Sequence, residues 1–179
     1  SIETEGGAFS SEIEEAGLTY AAQGAETYGA RSSPLPFRDV SSSSWFYDEV
    51  VYVYEAGLMD GISSTEFAPN ASLTRAEVVT VLYRLADEPQ VQTNAPFTVD
   101  GGSAFTDVPD GAFCSKPVAW ASQNGIVEGV GNHEFLPKKS ITREQIATIF
   151  YRYYAGYLGN SAPSSSLSGY TDQGSVSGF

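Results

Sequence analysis

The sequence predicts an all-α protein built from tandem helix-loop-helix units, and three observations carry that prediction. Residues 37 to 86 recur sixty-eight positions later as residues 105 to 154, with no inserted or deleted position. Within each copy apolar residues fall at the 3.6-residue spacing of an amphipathic helix. Each copy also holds a threonine followed three residues later by Glu or Gln, the signature of a helix start. Self-similarity at a fixed period marks one supersecondary unit used more than once.

The correspondence is residue by residue. Phe37-Arg38-Asp39-Val40 becomes Phe105-Thr106-Asp107-Val108, Gly57-Leu58-Met59-Asp60-Gly61 becomes Gly125-Ile126-Val127-Glu128-Gly129, and Leu73-Thr74-Arg75-Ala76-Glu77 becomes Ile141-Thr142-Arg143-Glu144-Gln145. A third copy opens at Leu167-Ser168-Gly169-Tyr170-Thr171-Asp172. The chain therefore divides into an acidic lead-in (1–36), a first copy (37–90), a connector (91–104), a second copy (105–158), a Ser-rich connector (159–166) and the start of a truncated third copy (167–179). Within the lead-in a short helix is expected around Glu12 to Ala22.

In each copy the first helix is expected over about Ser44 to Ala56, where Phe46, Val50, Val53 and Tyr54 stripe one face. Gly57 and Gly125 then stand where a left-handed C-terminal cap is wanted. A loop of some sixteen residues follows, carrying Phe67-Ala68-Pro69 or Phe135-Leu136-Pro137, and so long a connection is more often functional than idle. The second helix starts at Thr74 or Thr142, capped with Glu77 or Gln145. Its core stripe is Val78, Val81, Leu82 and Leu85, matched by Ile146, Ile149, Phe150 and Tyr153. One such unit cannot close a core alone, so neighbouring copies must pack on each other.

Composition narrows the function. At 179 residues with 41% hydrophobic content the chain can bury a core. A net charge of -13 argues against nucleic acid, whose binding rests on Lys and Arg, and does not favour an anionic membrane. No stretch reaches the eighteen or more apolar residues of a membrane helix, so no membrane insertion is expected. The lone Cys114 excludes an internal disulfide framework and a multi-cysteine metal site, and reads as a small buried apolar residue. No metal or cofactor is called for. With one His and one Cys there is little material for a nucleophile triad, and adjacent pairs such as Asp48-Glu49 read as solvated faces. No catalytic residue is assigned.

The residue that asks most for explanation is the arginine after each capping threonine. A cation in the first helical turn faces the positive end of the helix dipole, which costs up to about 1 kcal/mol, so helix stability does not ask for Arg75 or Arg143. Two readings stand: a receptor that pairs its guanidinium fork with an external carboxylate, or an internal ion pair to Asp39 or Asp107. Aromatic residues crowd the first helices (Trp45, Phe46, Tyr47, Tyr52, Tyr54, Phe113, Trp120), more than one buried stripe needs. Such rings suit either core packing or the apolar face of a sugar, and Trp120 is the one expected to face a ligand. Gly61 and Gly129 fit positive φ, close approach of a ligand, or plain turn geometry.

Phe-x-Asp-Val, the aromatic first helix, Gly-(Ile/Leu)-x-x-Gly, Phe-x-Pro and Thr-Arg-(Ala/Glu)-(Glu/Gln), in that order and twice, closely resemble the S-layer homology repeats of bacterial surface proteins. The likeness covers about residues 37–90 and 105–158, with a truncated third repeat from about 167. It implies a helical module in which three repeats form a pseudo-threefold assembly with grooves between neighbours. Those grooves would bind secondary cell-wall polysaccharide, often ending in a pyruvate ketal on N-acetylmannosamine, and would hold the protein noncovalently on the extracellular side of the cell wall. The ketal carboxylate is the kind of anion that suits Arg75 and Arg143, while Asp39, Asp107, Gly61, Gly129 and the aromatic residues Trp45 and Trp120 would line or shape the groove. The chain stops at Phe179, short of the third repeat's helices, so one groove is expected to stay open unless other copies or chains complete it or residues 1–36 fold over it. The alternative readings are a protein-interaction or surface-lattice module, and the anchoring appendage of a surface glycoside hydrolase.

Overall fold

A computed structural model describes residues 35–91 and 105–161, and among these residues the architecture is four α-helices with their flanking loops. The lead-in with its expected helix at Glu12 to Ala22, nearly all of the first connector, most of the second and the third copy lie outside the described residues. α1 is Tyr47–Glu55, α2 Arg75–Leu85, α3 Ser115–Gln123 and α4 Arg143–Tyr151; α4 runs on into a π-helical segment, Arg152–Tyr157. Among the described residues β pairing is limited to the isolated bridges Thr74–Ser140 and Gly131–Glu134. None of these helices is long and apolar enough to cross a membrane.

α1 begins three residues later than its apolar stripe suggests. The serine run before it bonds to itself instead, with Ser43 N–H donating to Ser41 Oγ and Ser44 N–H to Ser41 O; short hydroxyl side chains compete in this way with helical backbone bonds. At the other end Gly57 takes φ 68° and Gly125 φ 67°. Leu58 N–H reaches back to Val53 O and Gly57 N–H to Tyr54 O, and Ile126 and Gly125 repeat the pair on Ala121 and Ser122. This is the glycine-closed Schellman ending. The second helices start as the sequence demands: Thr74 Oγ1 accepts from Glu77 N–H while the Glu77 carboxylate accepts from Thr74 N–H, and Thr142 with Gln145 repeats the reciprocal pair.

Both copies belong to one compact unit, and its core is shared between them. α2, from the first copy, packs along α3 of the second. Its Ala76, Val79, Leu82 and Tyr83 join Val118, Trp120, Ala121, Ile126 and Phe135 in a single buried cluster. Each first helix and loop thus makes a floor that the preceding copy's second helix covers. The consequence shows in matched positions: Ile126, Val127 and Phe135 are buried, whereas Leu58, Met59 and Phe67, at the same places in the first copy, are half-buried.

Gly129 has no Cβ because Phe105 occupies its place. A methyl group there would stand 2.6 Å from the Phe105 ring and 2.8 Å from Glu134 O. Gly61 meets Phe37 and the carbonyls of Glu66 and Ser63 in the same way. Neither has positive φ, and the close approach is by the protein's own ring. Gly129→Ala should cost about 1 to 3 kcal/mol, the usual penalty for overpacking, read as a lower urea midpoint; an unchanged midpoint would contradict this packing.

Candidate functional site

Arg75 settles where its copy meets the next. Its side chain is 6% exposed, Nε donates to Phe135 O at 2.9 Å and Nη2 to Glu128 O at 3.0 Å, and the guanidinium lies 4.6 Å from the centre of the Phe135 ring. Beside it Arg75 N–H donates to Lys139 O, Ala76 N–H to Pro137 O and Ile141 N–H to Leu73 O. The start of α2 is therefore plugged into the second copy's Phe-x-Pro loop. Burial lowers the Arg75 pKa from its ordinary value, and the Asp107 carboxylate opposes that shift. Buried as it is, Arg75 is no open anion receptor; of the expected internal partners Asp107 favours its charge, but its hydrogen-bond acceptors are the backbone carbonyls of Phe135 and Glu128.

Asp39 and Asp107 hold the loops instead. Asp39 accepts from Phe67 N–H at 2.9 Å and Ala68 N–H at 2.7 Å; Asp107 accepts from Phe135 N–H at 2.8 Å and Leu136 N–H at 2.7 Å. The clamped residues Ala68 and Leu136 have φ of 59° and 57°, a left-handed conformation that L-residues avoid, so the carboxylate fixes an unfavourable bend. The Phe67 hydrogen bond, opposed by desolvation and aided by that of Ala68, lowers the Asp39 pKa below its ordinary 3.8. A lowered folded pKa gives stability that is present above the unfolded value and disappears as pH falls through the folded one. Protection of the Phe67 and Ala68 amides, relative to their intrinsic exchange rates, should therefore fall as pH drops below the ordinary aspartate range and should already be reduced at neutral pH in Asp39→Asn.

Of the two tryptophans expected to line the groove, one is buried and the other exposed. Trp120, expected to face a ligand, is 2% exposed, packed edge-on by Tyr83 at 5.5 Å and Tyr157 at 5.2 Å. The correction has a physical reason: α3 is covered by α2 on one side and by the π-helical segment on another, so it buries more than one stripe. Trp45 is 88% exposed, and its counterpart Phe113 is 70% exposed. Both lie just before the true helix starts, off the buried face. Arg143 is exposed and, among the described residues, makes no hydrogen bond or ion pair. The sequence-derived residues are thus not assembled into one site.

Another set of residues does converge. A groove of about 260 Å³ runs between the second half of α2 and the start of α3, lined among others by Tyr83, Arg84, Glu88, Phe113, Ser115 and Lys116. Arg84 is held in place by Asp60 at 2.8 Å and by Leu58 O, leaving a fixed guanidinium at the groove. Lys116 is exposed and free of hydrogen bonds and ion pairs among the described residues. Two cations beside an exposed ring can take an anionic sugar, with the carboxylate on the cations and the apolar sugar face on Phe113. Sequence reasoning missed Arg84, although its recurrence as Arg152, paired with Glu128 at 3.2 Å, could have revealed it.

Residues 36–79 and 104–147 each match the S-layer homology domain family. The chain carries two S-layer homology domains. It is 34% identical over 157 residues to an endoglucanase of Bacillus sp. (strain KSM-635), covering 87% of this chain and 15% of that protein. It is 32% identical over 126 residues to the surface-layer 125 kDa protein of Lysinibacillus sphaericus, covering 65% of this chain and 10% of the other. With the S-layer protein sap of Bacillus anthracis it shares 29% identity over 118 residues, 66% of this chain and 13% of that one. The chain thus spans only a small part of these relatives. Both S-layer homology matches stop short of Arg84 and Arg152, whereas Phe113 and Lys116 fall inside the second.

Proposed function

We propose that the S-layer homology pair anchors a surface protein noncovalently to the bacterial cell wall by binding secondary cell-wall polysaccharide in the groove between α2 and α3. The observation that carries this reading is Lys116, unpaired among the described residues, beside the exposed Phe113 ring, with Arg84 fixed across the groove on α2. An acidic sugar, such as one bearing a pyruvate ketal, fits that chemistry. Similarity to surface-layer proteins and also to an endoglucanase supports a module carried by different proteins to one location. In this reading catalysis, where the whole protein has any, belongs to other parts of it.

A charge-assisted hydrogen bond nets about 1.5 to 3 kcal/mol, or roughly a 10- to 150-fold change in affinity. Phe113→Ala combined with Lys116→Ala should therefore weaken retention on isolated cell walls by at least about tenfold, with helix content unchanged because both side chains are exposed. Retention equal to that of the parent chain would remove this groove from the account.

A further inference from the structure

The start of α3 differs from those of the other helices. Its N-cap, Cys114, makes no side-chain bond, whereas Thr74 and Thr142 close capping boxes on α2 and α4. α1 is uncapped as well, but Asp48 and Glu49 in its first turn supply the negative charge that the positive end of a helix favours. Lys116 and Pro117 hold those two places in the second copy, and the first turn of α3 contains no acid. Ser115 N–H donates to Ala112 O, while Lys116 N–H has no acceptor among the described residues. An orphan amide at an uncompensated dipole suits an anion from outside.

A second free donor lies one residue away. Ser115, the first residue of α3, is 6% exposed and borders the groove between α2 and α3. Its hydroxyl makes no hydrogen bond among the described residues. Among the buried and half-buried ones, Trp120 Nε1 is the side-chain polar atom sealed from solvent without a partner, so Ser115 Oγ is not sealed and opens on the groove. The Lys116 and Arg84 cations line that groove too, as does Glu88. The Glu88 carboxylate disfavours a dianion and accepts from hydroxyls, which fits a sugar with a single carboxylate better than a phosphate.

We infer that the open N-terminus of α3 is the seat of the ligand's carboxylate, which accepts from the Ser115 hydroxyl and from Lys116 N–H. The Lys116 ammonium and the Arg84 guanidinium supply the attracting charge, and the external anion takes the part that Asp48 and Glu49 play in α1. The assignment rests on the reading of this groove as the glycan site and adds to it the residues that select a carboxylate.

Amide NMR of the labelled chain, titrated with the dimethyl ketal of pyruvate, tests it. The Ser115 and Lys116 amides should shift saturably with the carboxylate and not with its methyl ester. Ser115→Ala should weaken that binding by about tenfold or more, the worth of a hydrogen bond to a charged group. The melting temperature should not fall, since the hydroxyl has no partner among the described residues. Lys116→Asp, which restores the acid of the first copy, should abolish the shift and raise the melting temperature. Failure of the groove reading itself has a different mark: cell walls would then retain the chain carrying both Phe113→Ala and Lys116→Ala as they do the parent. Unchanged affinity in Ser115→Ala, no saturable shift in the parent chain, or tighter binding of inorganic phosphate than of the ketal would overturn the inference.

Discussion

Arg75→Ala is expected to lower unfolding free energy by about 3 kcal/mol, because it strips one buried and one part-buried carbonyl of their donor and a buried unsatisfied group costs about 1 to 3 kcal/mol. The carbonyls are those of Phe135 and Glu128, in the other copy, so the loss falls on the coupling between copies rather than on α2 itself. Arg75→Lys should recover little. A single ammonium cannot span two acceptors set for a planar fork while also holding the place over the Phe135 ring, 4.6 Å from its centre, that the guanidinium takes. The readout is urea unfolding followed at two probes, one in each copy. The parent should unfold in one transition and Arg75→Ala at a lower midpoint or in two steps; coincident, unshifted curves would show that the plug does not couple the copies.

Trp120→Ala carries the second large effect, a loss of about 3 to 5 kcal/mol, typical of deleting a large buried ring. Tyr83, Tyr153 and Tyr157 all lean on this indole. Its Nε1 is buried and finds no acceptor among the described residues. Trp120→Phe should therefore cost much less than Trp120→Ala, since the lost ring volume is partly offset by removing an unpaired donor. Thermal unfolding separates this from a ligand-facing role: a ligand-facing tryptophan would leave the melting temperature unchanged and abolish wall binding.

Local features were legible in the sequence because local physics fixes them. The capping boxes at Thr74 and Thr142, the left-handed Gly57 and Gly125 and the buried Cys114 all follow from groups within a few residues of one another, or from a residue's own character. The exchange of α2 between copies left no such trace. An apolar stripe states that a face is buried, not against which copy, and two near-identical units offer two equally good floors. The same ambiguity hid Arg75. Helix electrostatics indicated correctly that α2 did not call for an arginine, but its acceptors are backbone carbonyls, which carry no side-chain signature. Asp39 and Asp107 were singled out for the arginines; both clamp loop amides, and Asp107 also favours the charge of Arg75. Trp120 was hidden because α3 is covered on two sides, by α2 and by the π-helical segment, and so buries more than one stripe.

The central claim is that the S-layer homology pair recognises the wall's secondary polymer. Cosedimentation with purified cell walls, untreated and after chemical removal of that polymer, tests it most directly. The account predicts retention on untreated walls and its loss on stripped ones. Equal retention on both would contradict it.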